Sequence, residues 1–201
     1  NGIDMETLRK DRTFNPSGIY TDANGLTQFH DKEEDNYKQD HAQFHWSEQL
    51  KSGWSTQMAV HFTRGRGYFE QYKEEETDAD YGIGLSELDP TDLIRRRWLD
   101  NRFYGLTGSA IKTLEKGQII VGGAWNKYEG AHFGEVIWAQ NMGTADIGDR
   151  YYSDQSTKTD GNIYVKWQHE IASGFTSFID LQYRAVGYRA NGAETGLVND
   201  N

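Results

Sequence analysis

The chain has 201 residues, enough for one domain with its own core. Its net charge of −10 argues against nucleic acid, whose phosphates need clustered Lys and Arg. The absence of cysteine excludes disulfides, thiolate metal sites and a cysteine nucleophile. Mean hydropathy is −0.84, and no run approaches the ~18 apolar residues of a membrane helix. A membrane barrel stays open, because its strands are only half apolar.

Asn1 begins without a starting methionine or a signal-like segment, and the last residues are polar. The expectation is that the chain is excised from something longer. Residues 1–36 are turn-rich, with a small hairpin in GIYTDANGLTQFH bent at Asn24-Gly25. A period of two then begins. Ala42, Phe44 and Trp46 oppose His41, Gln43 and His45. Beyond a tight turn near 51–53, Trp54, Met58, Val60 and Phe62 oppose Ser55, Gln57 and His61. Such alternation predicts strands, not helices.

Residues 68–95 read as a long loop holding the acidic run KEEETDAD. The segment TDLIRRRWL is either a helical turn capped by Thr91 or the start of a strand, and we favour the strand. A second tight turn is predicted near 115–117. Ile119, Val121, Gly123 and Trp125 then alternate, followed by a polar stretch at 129–160 that holds the patch Val136-Ile137-Trp138. Ile163, Val165 and Trp167 lead to a third turn near 172–174. Ile179, Leu181 and Tyr183 continue beyond it, and 189–201 close as a loop.

The three turns share one pattern: an aliphatic residue, two mostly polar residues, then Gly53, Gly117 or Gly174. A three-residue hairpin loop puts its last residue in the left-handed region, where glycine sits without strain. Short turns therefore alternate with long polar stretches. The fold class predicted is all-β: an antiparallel meander of about six strands, each about nine to thirteen residues long. That asymmetry is the signature of a transmembrane β-barrel, with tight turns on one rim and long loops on the other. Trp46, Trp54, Trp167 and Phe175 near the turns, and Tyr68, Phe69, Tyr72, Tyr128, Tyr183 and Tyr188 at the far strand ends, read as two interfacial belts.

No nucleophile motif, phosphate loop or paired-carboxylate signature occurs, so no residue is assigned a catalytic role and no cofactor is implied. His41 and His45 lie about 13 Å apart on a strand and cannot share a metal. His132 and Glu135 form a weak pair beside a loop. The acidic runs lack the spacing of a calcium loop and read as solvated surface. Arg64, Arg66, Arg95, Arg96 and Arg97 stand near strand ends, where they would meet an anionic ligand or lipid phosphate, or neutralise the acidic loops. Arg64, Arg66, Arg95 and Trp138 are the candidate ligand-contacting residues.

The runs DRTFNPSGIYTD, DNYKQDHAQFHW, FTRGRGYFEQYK, DLIRRRWLDNRFYG and GGAWNKYEGAHFGEVIWA resemble the barrel of TonB-dependent outer-membrane receptors of the Bacteroidetes type. The resemblance spans nearly the whole chain. It implies a middle portion of a 22-stranded transmembrane β-barrel in the cell outer membrane, closed by a plug outside this sequence. It also implies import of a nutrient (an iron chelate, haem, a vitamin or a glycan). The implied partners are TonB through the plug region, outer-membrane lipid and the nutrient ligand. The alternative is a soluble β-domain that binds a glycan or protein through aromatic-rich loops. It expects the face bearing Phe44, Val60, Val165 and Leu181 to be buried under a second sheet.

Overall fold

A computed structural model describes residues 3–14, 19–30, 34–85 and 90–194. The described residues are all-β with two short helices. Helix α1 (Met5–Lys10) is capped by Asp4, whose carboxylate accepts from the backbone N–H of Glu6 and Thr7. Strands β1 (Ile19–Thr21) and β2 (Thr27–Phe29) form the predicted small hairpin. Its bend is held by Asp22, which accepts from the N–H of Asn24 and Leu26, and by Gly25 at φ +76.

The remaining strands form one antiparallel sheet in sequence order. They are β3 (Asp35–Leu50), β4 (Trp54–Glu76), β5 (Thr91–Leu114), β6 (Gly117–Ala139), β7 (Arg150–Ala172) and β8 (Phe175–Glu194). The segment at Thr91 is a strand, as favoured. Helix α2 (Asp78–Tyr81) sits in the connection between β4 and β5. The sheet is open, with β3 and β8 each paired on one side. Among the described residues no helix is long and apolar enough to cross a membrane.

The strands are longer than the alternation predicts, running 16 to 24 residues. The predicted loops shrink to match. The connection at 68–95 is reduced to 77–90, and that at 129–160 to 140–149; β3 begins inside 1–36 and β8 continues past 189. Polar sequence such as TKTDGN has little strand preference of its own. It is extended because a neighbour pairs with it residue by residue.

Two of the three turns follow the glycine rule. Gly53 at φ +75 closes a three-residue loop, with its N–H donating to Leu50 O at 3.2 Å. Gly174 at φ +77 closes the turn after β7, beside a bulge at Ile171. Gly117 is different. It is extended, paired with Leu114 and His169, and a Cβ there would strike the Gln168 carbonyl. Its role is close approach of two backbones, and the turn itself is Glu115-Lys116.

Register assigns every side chain to one of two faces. One row runs Leu50, Trp54, Lys112, Ile119, Trp167, Ile179; another runs Phe44, Val60, Leu106, Trp125, Gly161, Ala185. These rows and those between them make an apolar band. Beyond it the same face turns charged at Asp40, Arg64, Arg102 and Glu129. We term this the banded face. The opposite, polar face carries Ser47, Gln57, Ser109, Gly122, Tyr164 and Gln182 in one row, and Gln43, His61, Gly105, Asn126 and Asp160 in another.

Among the described residues nothing covers the band. Phe44, Val60, Val165 and Leu181 are 60, 43, 44 and 68 % exposed, not buried beneath another sheet. About eight residues of strand across six strands give an apolar area on the order of 600 Å², at the top of what a soluble monomer exposes. The far aromatic belt is corrected by parity. Tyr68, Tyr72 and Tyr183 lie on the banded face, but Phe69, Tyr128 and Tyr188 lie on the polar one.

The core sits instead at the loop end of the sheet. Tyr81 and Leu85 from the 77–90 connection and Ala145 from the 140–149 connection pack with Leu93, Val136, Ala139, Tyr151 and Tyr152. Each fully buried aliphatic there contributes roughly 1.5–3 kcal/mol. Asp78 braces the first connection by accepting from the N–H of Ile83, Gly84 and Leu85 at 3.1, 2.9 and 2.8 Å. So part of the acidic run is a structural brace, not solvated surface. The two connections are laced together at Gly84, whose carbonyl accepts from the N–H of Thr144 (2.7 Å) and Ala145 (3.2 Å).

Gly84 has φ +86, and a Cβ on it would strike Thr144 Oγ1. Gly84→Ala is expected to cost about 1–2 kcal/mol locally. Amide exchange at Thr144 and Ala145 should accelerate roughly five- to thirtyfold, whereas Gly187→Ala, with nothing within 4 Å of the new Cβ, should leave exchange unchanged. Hydrogen-exchange mass spectrometry of the two variants checks both.

Candidate functional site

The four candidate residues do not converge. Arg64 and Arg66 stand on the banded face, both beside Asp100 at 3.8 and 3.6 Å. Parity alone carries this information, since both follow Phe62 at even spacing. Trp138 is on the same face near the loop end, paired with Ile94 and 44 % exposed. Arg95 is on the polar face, where it supports the loop cap. Its guanidinium donates to Gln71 Oε1 and to the Tyr81 hydroxyl at 3.2 Å and lies 6.0 Å from the Tyr151 ring. Burial raises the pKa of the Tyr81 phenol, an effect that the Arg95 charge opposes, so Tyr81 holds its proton.

The register instead assembles a recess on the polar face, just below the loop cap. Its volume is about 540 Å³. Asp35 from β3, Phe69 from β4, Arg97 from β5 and Tyr152 from β7 lie in one row; Tyr37, Leu99 and His132 lie in the next. Gly67 contributes floor space. Alternation puts these side chains on the same side, and the ladder brings five strands together although the residues span 35 to 152 of the sequence.

Arg97 is central. Its Nε donates to the Tyr152 hydroxyl at 3.2 Å, and its guanidinium lies between the Phe69 ring (5.8 Å) and the Tyr152 ring (5.5 Å). Rings on both sides restrict the rotamers of a long cation, so it is oriented before any ligand arrives. A wall of aromatics with one ordered cation, an imidazole and a carboxylate offers stacking, apolar contact and directed hydrogen bonds. Such a mixture suits a ligand larger than an ion. His132 therefore contributes here and not with Glu135, which faces the other way to accept from the Trp98 indole at 2.9 Å. Among the described residues no group of three metal-ligating side chains occurs, and the His41 ring bonds Thr63 at 3.0 Å.

Glycines create the space. The Tyr37 ring crosses onto β4 and occupies the position where Gly65 would have a Cβ, with Asn101 beside it. Gly67, one step along the same face, has instead the Asn36 carbonyl and the Tyr37 backbone at that position. No family model matches the chain, and no curated protein matches it.

The two glycines should respond differently to the same change. Gly65→Ala has only the tip of a movable side chain to displace, so it is expected to swing Tyr37 and cost under about 1 kcal/mol. Gly67→Ala meets main chain and is expected to part β3 from β4, costing at least about 2 kcal/mol. Denaturant midpoints for both variants, with a fluorotyrosine resonance at position 37 reporting ring displacement, distinguish the outcomes.

Proposed function

We propose that this chain is a stretch of the wall of an outer-membrane β-barrel receptor that imports a nutrient in a TonB-dependent manner. In this reading the banded face meets lipid, the polar face lines the interior, and the tight turns lie at the periplasmic rim. The observation that carries it is the uncovered apolar band, bounded on its far side by charge. A soluble β-domain would need a second layer over that band, and the sheet has none among the described residues.

The stagger of the turns also supports the reading. Within the row Leu50–Lys112–Trp167, β3 ends at once, β5 ends two residues later at Leu114, and β7 ends five residues later at Ala172. Four strand spacings thus accompany a slide of five residues. If the turns share one rim, the strands tilt about 40° from the barrel axis, within the range of membrane barrels. Strands of 20 or more residues also exceed the 9–11 needed for one crossing, so the sheet continues well beyond the bilayer. The aromatic recess lies in that extension, on the inward side, where an incoming nutrient would be held. TonB would act through a plug region outside this sequence, as the resemblance to the family implies.

The test uses the full-length polypeptide that carries this chain. It should fractionate with the outer membrane, and uptake of its nutrient should stop when the proton-motive force is collapsed. Arg97→Ala should weaken nutrient binding about tenfold, corresponding to one lost charge-assisted contact. A polypeptide found in the soluble fraction would sink the proposal. Face assignment has a separate check. Val165→Arg should cost about 2–4 kcal/mol of stability in vesicles, while Gln57→Arg on the inward face should cost under about 1 kcal/mol. Urea unfolding of the reconstituted protein measures both.

A further inference from the structure

We infer that the recess is one end of a longer groove on the polar face, and that the groove binds an extended, β-linked oligosaccharide. The inference rests on the reading above that the recess receives the nutrient, and it names the class of that nutrient.

The groove follows β4. On the polar face this strand carries Phe69, Gly67, Gly65, Thr63 and His61 in succession, over about 26 Å. Aromatic rings recur along it. Phe69 stands at the recess end. The Tyr37 ring crosses from β3 and lies over Gly65. At the other end the His61 ring lies 4.8 Å from that of Phe103 on β5. Phe69, Tyr37 and Phe103 are all exposed, so flat apolar surface is presented at three points along one strand.

Polar side chains of the neighbouring strands border the rings on both sides. Register puts Asp35 of β3 and Arg97 of β5 on either side of Phe69. Two rows nearer the turns it puts Gln39 and Asn101 on either side of Gly65, where the Tyr37 ring lies. A pyranose has a flat C–H face and hydroxyls around its edge. The face suits the rings. The hydroxyls suit both borders, because a hydroxyl donates as well as accepts: it can donate to Asp35 and accept from Arg97. An anionic chelate drawn to Arg97 would meet the opposing charge of Asp35, about 10 Å away across two strand spacings. The groove is also straight, because its floor is a single strand. A β-linked chain is an extended ribbon that can meet rings in line, whereas an α-linked glucan coils away from such a track.

The experiment uses the full-length polypeptide purified in detergent and titrated by isothermal calorimetry. The probes are cellobiose, cellohexaose, maltohexaose and ferric citrate. Cellohexaose is expected to bind about a hundredfold tighter than cellobiose, since it reaches two further ring positions at about tenfold each. Phe103→Ala should weaken cellohexaose binding about tenfold and leave cellobiose unchanged, a length-selective loss that misfolding would not produce. Phe103→Tyr, which keeps the ring, should retain full affinity for both. Maltohexaose should bind about tenfold more weakly than cellohexaose. No binding of cellohexaose, equal affinity for the two cello-oligosaccharides, equal or tighter binding of maltohexaose, or a preference for ferric citrate would each overturn the inference. Fractionation of the same polypeptide decides the barrel reading separately. A soluble protein that binds cellohexaose would overturn the barrel and keep the groove, while an outer-membrane protein that does not bind it would overturn the groove alone.

Discussion

An antiparallel ladder satisfies backbone donors and acceptors only by pairing with a neighbour, and in doing so it fixes which way each side chain points. Six strands of this chain are held by such ladders, and little else joins them, since the clustered core is confined to the loop end. Everything chemical about the protein follows from that register. A slip of one residue in any strand would carry its apolar side chains to the polar face and its polar ones to the band. The bulk of the protein is therefore specified by a count, with packing a secondary influence along most of the sheet.

The consequences differ at the two ends. Near the turns, neighbouring side chains spread over an open surface, and order comes from the backbone. Near the loops, α2 and the 140–149 connection close over the polar face, and tyrosines fill the gaps that glycines leave. Arg95 and Arg97 are two residues apart on the same face yet belong to different structures. One supports the cap through Tyr81 and Gln71, and the other lies among the rings of the recess. The cap and the recess are thus neighbours joined through Tyr152, which packs in the core under the cap and accepts the hydrogen bond from Arg97.

What was legible in the sequence was what depends on a single residue or a local period. Gly53 and Gly174 were readable because their backbone conformation admits little else, and Phe44–Trp46 and Met58–Phe62 were readable because period two has few causes. Gly117 had the same local signature but a different cause, a close approach to Gln168 on a strand more than fifty residues away. The continuation of β4 through charged sequence to Glu76 was hidden for the same reason, since a partner strand imposes it. The recess was the least legible, because no two strands suffice to form it. Arg64 and Arg66 were the exception, as counting from Phe62 already gave their side of the sheet.

Three bulges interrupt the ladder near the loop end, after Lys73 on β4, at Ile137 on β6 and at Tyr151 on β7. Each adds one residue to one strand and restores alternation beyond it. They work as expansion joints. A change in loop length can be taken up at such a joint and need not travel down the ladder, where it would invert the faces. The connections above the recess can thereby change in length while the wall below keeps its two faces.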